Sequence, residues 1–260
     1  MEILMSPSPE AACLRAARIV ARLVRAQPQA VLALPTGATP RDIYAELVRQ
    51  HREEGLSFAR VTAFNLDEYV GVPPEHPGSF RRALHEALYR HVDLPAEQAH
   101  APEATATDLA DACRRYEDRI AAAGGLDLAL LGVGRDGHIA FNEPTSSLGS
   151  RTRVKTLADE TRAANQASFG ADPVPRHALT VGIATILSAR RCVLVALGAA
   201  KADAVARLVE GPLTAMVPAS ALQLHPHATV IADEAAAARL AYRGYYETVA
   251  AAKPADQRED

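Results

Sequence analysis

Short apolar runs alternate along the chain with longer segments in which apolar side chains recur every three or four positions. The apolar runs predict strands at residues 30–34, 60–66, 126–131, 191–197 and 228–232. The periodic segments predict helices at residues 8–25, 41–53, 79–91, 106–123 and 198–208, because a period near 3.6 residues places one apolar face toward a core. Strands that alternate with helices in this way form βα units. The pattern therefore predicts an α/β fold built on a mostly parallel sheet.

Capping residues and polar stretches divide the chain further. Ser8 and Ser79 each precede a predicted helix, where a hydroxyl can accept a hydrogen bond from a free backbone N–H. Residues 146–175 are polar and irregular, which is typical of a mobile lid over a site, and we assign the lid to residues 146–180. Residues 252–260 predict a frayed polar tail.

The composition narrows the classes of protein that remain. A chain of 260 residues, 48% of them hydrophobic, can bury the core of one α/β domain, and we expect residues 1–260 to form it. The net charge of -3 is spread over interspersed acids and bases, so no basic stripe indicates a nucleic-acid partner. Cys13, Cys113 and Cys192 form no CxxC pair, which predicts a reducing compartment. No uncharged apolar stretch approaches the ~18 residues of a membrane span, so we predict a soluble cytoplasmic protein.

The segment GVGRDGHIAFNEP, residues 132–144, follows a predicted strand and concentrates glycine, acidic and imidazole groups. Gly132, Gly134 and Gly137 match the G-x-G-x-x-G spacing of dinucleotide-binding folds, and acidic residues lie about twenty positions further on. However, Pro144 would break a helix at its first turns, and the fingerprint needs a helix N-terminus for the pyrophosphate. We therefore disfavour a nicotinamide or flavin cofactor.

Asp136, His138 and Glu143 lie within eight positions of one another in this segment. An imidazole between two carboxylates can be oriented and made more basic, as a proton shuttle requires. A hydrogen-bonded structural loop is the alternative. A metal site ranks third, since no second histidine or cysteine stands at ligand spacing, and we predict no metal.

A second acidic pair, Asp67 and Glu68, follows the strand predicted at residues 60–66. Such carboxylates either cap the next element or act as a base. The carboxyl ends of parallel strands share one edge, where open α/β sheets bind ligands, so we expect this pair and the Asp136 cluster at one site. There a carboxylate becomes a candidate base for removing a proton from carbon.

Two further features suit an anion. A loop before a predicted helix consists of Thr36, Gly37, Ala38 and Thr39. Its backbone N–H groups, its hydroxyls and the helix start favour phosphate, while an ordinary βα turn with a threonine N-cap before Pro40 explains it equally well. Lys201, at the start of another helix, could add a positive charge or could be a solvated surface lysine.

Taken together, these motifs resemble the glucosamine-6-phosphate deaminase family, also called glucosamine-6-phosphate isomerase. The matching stretches are LPTGATP (34–40), FNLDEYVG (64–71), HP (76–77), GVGRDGHIAFNEP (132–144), SRTRVKT (150–156), ALTVG (178–182) and LQLHP (222–226). They occur in the family's order over nearly the whole chain. The resemblance implies a doubly wound, Rossmann-like α/β fold with helices on both faces of the sheet and a lid.

The resemblance also implies a reaction that converts glucosamine 6-phosphate and water to fructose 6-phosphate and ammonia, without an organic cofactor. His138 would open the sugar ring by moving a proton at the ring oxygen, and Asp136 and Glu143 would hold and polarise its imidazole. Asp67 would take the proton from C2 and return it at C1 through an enolamine. The implied partner is therefore an amino-sugar phosphate.

By the same resemblance, Thr36, Gly37, Ala38, Thr39 and Lys201 would bind the phosphate. The family has an arginine in its lid where this chain has Ala167. Loss of such a charge-assisted contact should weaken phosphate binding by about 1.5–3 kcal/mol. Arg162 or Arg176 could substitute for it, or the natural substrate could differ.

Hexameric members of the family bind N-acetylglucosamine 6-phosphate at an allosteric site. Ser146, Arg153 and Lys155 match its anion-binding positions, although these residues could instead tether the lid. The C-terminal part of that site aligns poorly. The resemblance leaves open both this effector and a homo-oligomeric state.

Two other functions compete with this one. A 6-phosphogluconolactonase-like hydrolase would carry Asp-Glu-Arg where this chain has Asp67-Glu68-Tyr69. It would also carry Thr-Ala-Ser-Leu-Phe-Pro after Gly137-His138, so both motifs favour the deaminase. A non-catalytic sugar-phosphate sensor could keep the phosphate loop and lose the acid–base residues, but this chain has the full set.

Overall fold

The computed structural model describes residues 1–254. This part of the chain contains ten strands: β1 (Glu2–Ser6), β2 (Val31–Leu34), β3 (Thr62–Asn65), β4 (Asp67–Tyr69), β5 (Ala99–His100), β6 (Leu128–Leu131), β7 (Arg153–Thr156), β8 (His177–Thr180), β9 (Arg191–Ala196) and β10 (Ala228–Asp233). It contains eight α-helices: α1 (Pro9–Ala26), α2 (Ala38–Glu54), α3 (Phe80–Ala87), α4 (Leu109–Ala122), α5 (Asp159–Asn165), α6 (Ile183–Leu187), α7 (Ala202–Val209) and α8 (Arg243–Ala252).

Seven of the strands form one parallel sheet in the order β1-β10-β9-β6-β2-β3-β5. From β2 the chain proceeds through β3 to β5 on one side, and from β6 it proceeds through β9 to β10 on the other. The direction of winding therefore reverses between β2 and β6. A crevice forms at such a reversal, outside the carboxyl ends of the strands.

Apolar clusters cover both faces of this sheet. On one face, Ile120 of α4, Ile186 of α6 and Leu208 of α7 pack against strand residues such as Leu131 and Leu194. On the other face, the side chains come from α1, α2 and α3, and include Ile19, Leu47 and Leu84. The predicted α/β sheet with helices on both faces is confirmed.

The start signals that the sequence contains act as predicted at two helices. The Ser8 hydroxyl accepts a hydrogen bond from the Ala11 N–H at 3.2 Å, and Pro9 is the first residue of α1. The Ser79 hydroxyl accepts one from the Arg82 N–H at 3.3 Å at the start of α3. These bonds satisfy backbone N–H groups that have no partner within the helix.

The prediction that residues 146–175 are irregular is wrong in part. β7 and α5 both lie in this segment, and β7 pairs antiparallel with β8, which pairs antiparallel with β4. The three strands form a second, small sheet. Exposure alternates along β7, where Arg153 and Lys155 are less exposed than their neighbours. This alternation is typical of an edge strand that has one face toward the protein.

The two ends of the chain also depart from the predictions. β1, which the pattern did not predict, is an edge strand that pairs with β10 through Glu2↔Thr229. The polar tail begins later than residue 252, because α8 reaches Ala252 and the Lys253 Nζ lies 2.6 Å from the Glu2 Oε1. The rest of the predicted tail, residues 255–260, lies outside the described residues. Within residues 1–254, no helix combines the length and apolar character that crossing a membrane requires.

Candidate active site

Four neighbouring strands of the parallel sheet, β9, β6, β2 and β3, carry the sequence-predicted residues in the segments that follow them. Lys201 follows β9, the segment with Asp136 and His138 follows β6, Thr36 follows β2, and Asp67 follows β3. Since all four strands are parallel, these segments leave the sheet at the same edge. The crevice between β2 and β6 therefore lies at the centre of the predicted site.

The turn after β6 brings the imidazole together with two carboxylates. The His138 Nδ1 lies 2.8 Å from the Asp136 Oδ1 and 3.7 Å from the Glu143 Oε2. Burial alone would raise the pKa of Asp136, but the side chain, the charge and the backbone N–H of His138 outweigh it and lower this pKa to about 2. Asp136 is therefore ionised near neutral pH.

Glycine at position 134 makes room for that imidazole. A methyl group on Gly134 would lie 2.3 Å from both Cε1 and Nδ1 of His138 and 2.6 Å from the Asp136 Oδ1. The backbone also ties the turn together, because the Gly134 N–H donates to the His138 carbonyl at 2.9 Å. The close approach of backbone and imidazole thus requires a residue without a side chain.

Glu143 is held by Ala158, in the segment predicted to be a lid (residues 146–180, hereafter the lid), and by its neighbour in the turn. Its side chain is buried, and its Oε1 accepts a hydrogen bond from the Ala158 N–H at 3.2 Å. The preceding Asn142 donates through Nδ2 to the carbonyls of Ile139 at 3.0 Å and Val181 at 2.9 Å. The Glu143 Oε2, by contrast, is buried with no hydrogen-bond partner and is the oxygen that faces His138.

The acidic pair after β3 divides into two different roles. Glu68 is buried and accepts hydrogen bonds from the Ser79 hydroxyl at 2.8 Å and from the N–H groups of Tyr69, Phe80 and Arg81 at 2.9, 3.0 and 2.9 Å. It therefore caps the start of α3. Asp67 is buried as well, and no hydrogen bond to its carboxylate is present in residues 1–254. Burial, followed by the charge of Glu68, raises the pKa of Asp67 well above its usual range.

Replacing Glu68 by Gln is expected to lower the stability of the fold. An amide has one accepting oxygen and no charge, so the four donors around it cannot all be satisfied. Loss of a hydrogen bond to a charged group costs about 1.5–3 kcal/mol, and the urea midpoint should fall accordingly. Glu86 of α3 is the matched control, because its carboxylate pairs with Arg90 at the exposed surface. An equal loss of stability in Glu86→Gln would contradict the capping role.

β8 brings the two acidic segments to one place. Asp67 pairs directly with Thr180, and the Leu66 carbonyl accepts a hydrogen bond from the Val181 N–H at 2.8 Å. On the other side, the Thr180 Oγ1 accepts from the Phe141 N–H at 3.0 Å, and Val181 accepts from the Asn142 amide as described above. The base candidate and the imidazole turn are thus attached to the same two residues.

An aromatic cluster reinforces this junction. The ring of Tyr69, two residues after Asp67, lies 5.3 Å from that of Phe141 in the imidazole turn and 5.0 Å from that of Phe169 in the lid. The rings of Phe80 and Phe141 stack at 5.5 Å. Aromatic pairs at these separations are favourable beyond the area they bury, so they stabilise the arrangement of turn, strand and lid.

The loop after β2 is an open helix start. Gly37, with φ 132°, is the N-cap of α2, and no side chain caps the helix. The alternative in which threonine caps the helix is therefore wrong, since Thr39 lies within the first turn. Ala38 is not among the residues with positive φ, so alanine fits there without strain. The first N–H groups of α2 thus remain available to an anion at the crevice.

Lys201 lies near the imidazole turn, at the residue before α7. Burial and the charge of Arg135 lower the pKa of Lys201, and the charge of Asp136 raises it. The charges of Arg135 and Asp136 therefore both act on the ammonium group of Lys201. The alternative of a solvated surface lysine does not fit this partly buried position.

Arg162 and Arg176, the candidates to replace the family's lid arginine at position 167, differ in their surroundings. Arg162 donates to the Val174 carbonyl from Nε and Nη2 at 3.1 Å, and to Asp159 from Nη1 at 3.1 Å. It is therefore occupied within the lid. Arg176 is exposed, next to β8.

The three residues predicted to bind an effector are Ser146, Arg153 and Lys155. Of these, Arg153 and Lys155 interact electrostatically. Arg153 donates from Nη1 to the Asn142 Oδ1 at 2.9 Å, and its Nη2 is buried without a partner. Burial lowers the pKa of Lys155, and the charges of Arg153 and Glu143 act on the same group. The Ser146 Oγ is buried and has no hydrogen-bond partner within the described residues. Arg153 also borders a cleft of about 980 Å³ between α4 and β7.

Several supporting residues were not found from the sequence. Asn142, Thr180 and Tyr69 were seen only as parts of matching stretches, although their contacts hold the site together. Their roles depend on pairings between distant segments, which no local pattern reports. The prediction that no helix begins directly after the glycines is confirmed, because the first α-helix after β6 in the described chain is α5, more than 20 residues beyond Gly137.

Comparison with known proteins gives the same family as the motifs. Residues 8–231 match the model of the family described as glucosamine-6-phosphate isomerases/6-phosphogluconolactonase. The chain is 50% identical over 250 residues to a glucosamine-6-phosphate deaminase of Hahella chejuensis, covering 96% of this chain and 95% of that protein. It is 48% identical over 258 residues to one of an Arthrobacter strain, covering 99% of each.

Comparison with solved structures gives the same family. A monomeric glucosamine-6-phosphate deaminase superposes with a TM-score of 0.90 at 43% identity, covering 92% of this chain and 100% of that one. A 6-phosphogluconolactonase from Trypanosoma brucei gives 0.74 at 22% identity, covering 92% and 98%, a likeness of the fold alone. The resemblance inferred from the motifs is confirmed: the chain belongs to the family of glucosamine-6-phosphate isomerases and 6-phosphogluconolactonases.

Proposed function

We propose that this chain is a glucosamine-6-phosphate deaminase, which converts glucosamine 6-phosphate and water to fructose 6-phosphate and ammonia. The observation that carries the proposal is the attachment of Asp67 and of the His138 turn to the same end of β8. This reaction needs a carboxylate near a sugar carbon and an imidazole near the ring oxygen. The relatives that are 50% and 48% identical to this chain are named glucosamine-6-phosphate deaminases.

Asp67 is the proposed base at carbon. It would take the proton from C2 of the open-chain sugar and return it at C1, forming the enolamine on the way. Its carboxylate is buried and has no hydrogen bond within the described chain, so it is not stabilised by protein donors. The ammonium group of the amino sugar would favour its ionised form in the complex, since a nearby opposite charge lowers the pKa of an acid.

His138 is the proposed proton carrier at the ring oxygen. Its Nδ1 faces the two carboxylates, which leaves Nε2 as the nitrogen for the substrate. Ring opening moves a proton from the C1 hydroxyl to the ring oxygen, and an imidazole can perform both transfers. Asp136 and Glu143 hold the ring through its Nδ1. Water then adds at C2, and ammonia leaves.

The proposed phosphate site consists of the first N–H groups of α2, with Thr36 to Thr39, and the ammonium group of Lys201. Helix N-termini bind phosphate through free N–H groups and the helix dipole. The charge of Arg135 acts on Lys201, whereas Arg162 is occupied by Val174 and Asp159. Lack of an arginine at position 167 is therefore compatible with a cationic phosphate site.

The rival lactonase and sensor functions are less well supported. Lactone hydrolysis does not use a buried carboxylate directed at a carbon–hydrogen bond, and the lactonase structures resemble this chain in fold alone. A sensor would not need the packed Asp136, His138 and Glu143 arrangement. The direct test measures ammonia release from glucosamine 6-phosphate, galactosamine 6-phosphate and unphosphorylated glucosamine, beside opening of 6-phosphogluconolactone. Reaction with the lactone alone, or sugar-phosphate binding without ammonia release, would overturn the proposal.

Replacing Lys201 by Ala is expected to raise KM for glucosamine 6-phosphate with a smaller change in kcat. Loss of one charge-assisted hydrogen bond is worth about 1.5–3 kcal/mol, which corresponds to roughly 10–100-fold in KM. Steady-state ammonia release measures this directly. Lys253→Ala is the control, because its ammonium group pairs with Glu2 at the far edge strand. An unchanged KM in Lys201→Ala would remove Lys201 from the phosphate site.

Allosteric control by an effector and a homo-oligomeric state stay predictions. The same is true of the mobility of the lid, residues 146–180, and of a cytoplasmic location. We further propose that Ser146, Arg153 and Lys155 bind an anionic effector such as N-acetylglucosamine 6-phosphate. The support is the buried Arg153 Nη2 without a partner and the contact of Arg153 with Asn142 in the imidazole turn. Ligand-dependent kinetics and sedimentation of the purified chain would test the effector and a homo-oligomeric state.

A further inference from the structure

The Asp136, His138 and Glu143 cluster has the dimensions of a site for a transition-metal ion. One oxygen or nitrogen from each side chain lies within 4.8 Å of the other two. Ligand atoms around a tetrahedral zinc ion are about 3.4 Å apart, given metal–ligand bonds of about 2.0–2.2 Å. The observed separations of 2.8 Å and 3.7 Å from His138 Nδ1 lie on either side of that value. Small side-chain shifts would bring all three atoms into coordination.

A buried oxygen supports this interpretation independently. The Glu143 side chain is 6% exposed, and its Oε2 is directed toward the cluster without a hydrogen-bond partner. An unsatisfied carboxylate oxygen is costly in a buried position, and a cation at the cluster would satisfy it. The Asp136 side chain is 38% exposed, so an ion can reach the cluster from solvent.

We propose that this cluster binds one Zn²⁺-like ion and that the ion inhibits the enzyme. Imidazole with carboxylates suits zinc and its neighbours in the transition series. Magnesium and calcium prefer more oxygen ligands and retain water. The three thiols offer no competing site in the described chain, because all are buried, and burial raises the pKa of Cys192 to about 12 and that of Cys13 to about 11.

The inhibition follows from the chemistry of the imidazole. A zinc ion takes the lone pair of Nδ1, so the remaining proton of the neutral ring stays on Nε2. The ring then has no lone pair with which to accept a proton. The ion lies on the Nδ1 side of the ring, away from the nitrogen assigned to the substrate. We therefore expect a fall in kcat with little change in KM, an expectation that rests on the proposed function.

Zinc binding is tested first without any activity assay. The full chain is stripped with a chelator, and Zn²⁺ or Mg²⁺ is titrated by calorimetry and by equilibrium dialysis. We expect one equivalent of Zn²⁺ and far weaker binding of Mg²⁺. Loss of an outer-sphere partner alone costs about 10–100-fold in metal affinity, so Glu143→Gln, which removes a ligand, should weaken Zn²⁺ binding at least about tenfold. Asp172→Asn is the matched control, because it alters an exposed His–carboxylate pair, with the His76 Nε2 3.3 Å from the Asp172 Oδ2.

The outcomes separate the metal site from the proposed function. No Zn²⁺ binding, or binding that Glu143→Gln leaves unchanged while the variant remains folded by thermal denaturation, would overturn the site. Equal loss of binding in Asp172→Asn would do the same. Binding as expected together with reversible loss of ammonia release supports the whole proposal. Binding without loss of ammonia release would confirm the metal site and contradict the role of His138 as proton carrier.

Discussion

Replacing Asp67 by Asn is expected to lower kcat for ammonia release by about 10²–10⁴-fold, the usual range for loss of a positioned proton carrier. The amide keeps the size of the side chain but cannot accept the proton from C2. Loss of solvent-deuterium exchange at C1 and C2 of the sugar, followed by NMR, would show that the missing step is the proton transfer. KM should change much less, because Asp67 is not part of the proposed phosphate site.

The folded state should tolerate this change. Burial raises the pKa of Asp67 in the folded protein, so the folded state binds its proton more tightly than the unfolded chain does. Stability from this group is then present at low pH and is lost as pH rises from the unfolded pKa through the folded one. Asp67→Asn should therefore be at least as stable as the parent at neutral pH, while Glu68→Gln should be less stable. A destabilised Asp67→Asn would contradict the assignment of the cap to Glu68 and the base to Asp67.

The same raised pKa predicts the acid limb of the pH profile of the free enzyme. A base must be ionised to act, so kcat/KM should fall as pH is lowered through the raised pKa of Asp67, at a higher pH than an ordinary aspartate would give. The residual activity of Asp67→Asn should lack this limb. A limb that persists unchanged in the variant would assign it to another group.

Replacing Gly134 by Ala is expected to lower kcat by at least about 10²-fold, since a misplacement of about 1 Å at a catalytic group can cost that much. The added methyl group would lie 2.3 Å from the His138 ring, so the imidazole must move away from Asp136. Chemical shifts of the His138 ring nitrogens would report the displacement. The urea midpoint is measured beside kcat, so that loss of folding is distinguished from displacement of the ring.

Gly132→Ala is the control for this substitution. It lies two residues earlier in the same turn, and a methyl group there meets no atom within 4 Å. It should retain nearly full activity and unaltered His138 shifts. If the two variants lose activity equally, the effect belongs to the backbone of the turn, and the imidazole position would not be the cause.

Local patterns were sufficient for much of the fold. The period of the apolar residues predicted the βα units, because a helix or strand buries one face whatever its partners are. Ser8 and Ser79 were identified as caps, since a cap acts on backbone only two or three residues away. By contrast, β1 pairs with β10, more than 220 residues along the chain. Nothing near residues 2–6 reports that partner, and β7 was missed in the lid for the same reason.

The sequence by itself determined that Asp136, His138 and Glu143 meet, because short spacing after a strand leaves them little choice of position. It also placed the Asp67–Glu68 pair and the Asp136 cluster at one sheet edge, since parallel strands end on the same side. Only the tertiary structure decided which acid of the Asp67–Glu68 pair is free, because the donors that occupy Glu68 come from the start of α3. The tertiary structure alone also joined the base to the imidazole turn, through hydrogen bonds to Thr180 and Val181 from segments more than 70 residues apart. Such bonds depend on which backbone groups remain unpaired after the strands assemble, and that is settled only by the packed fold.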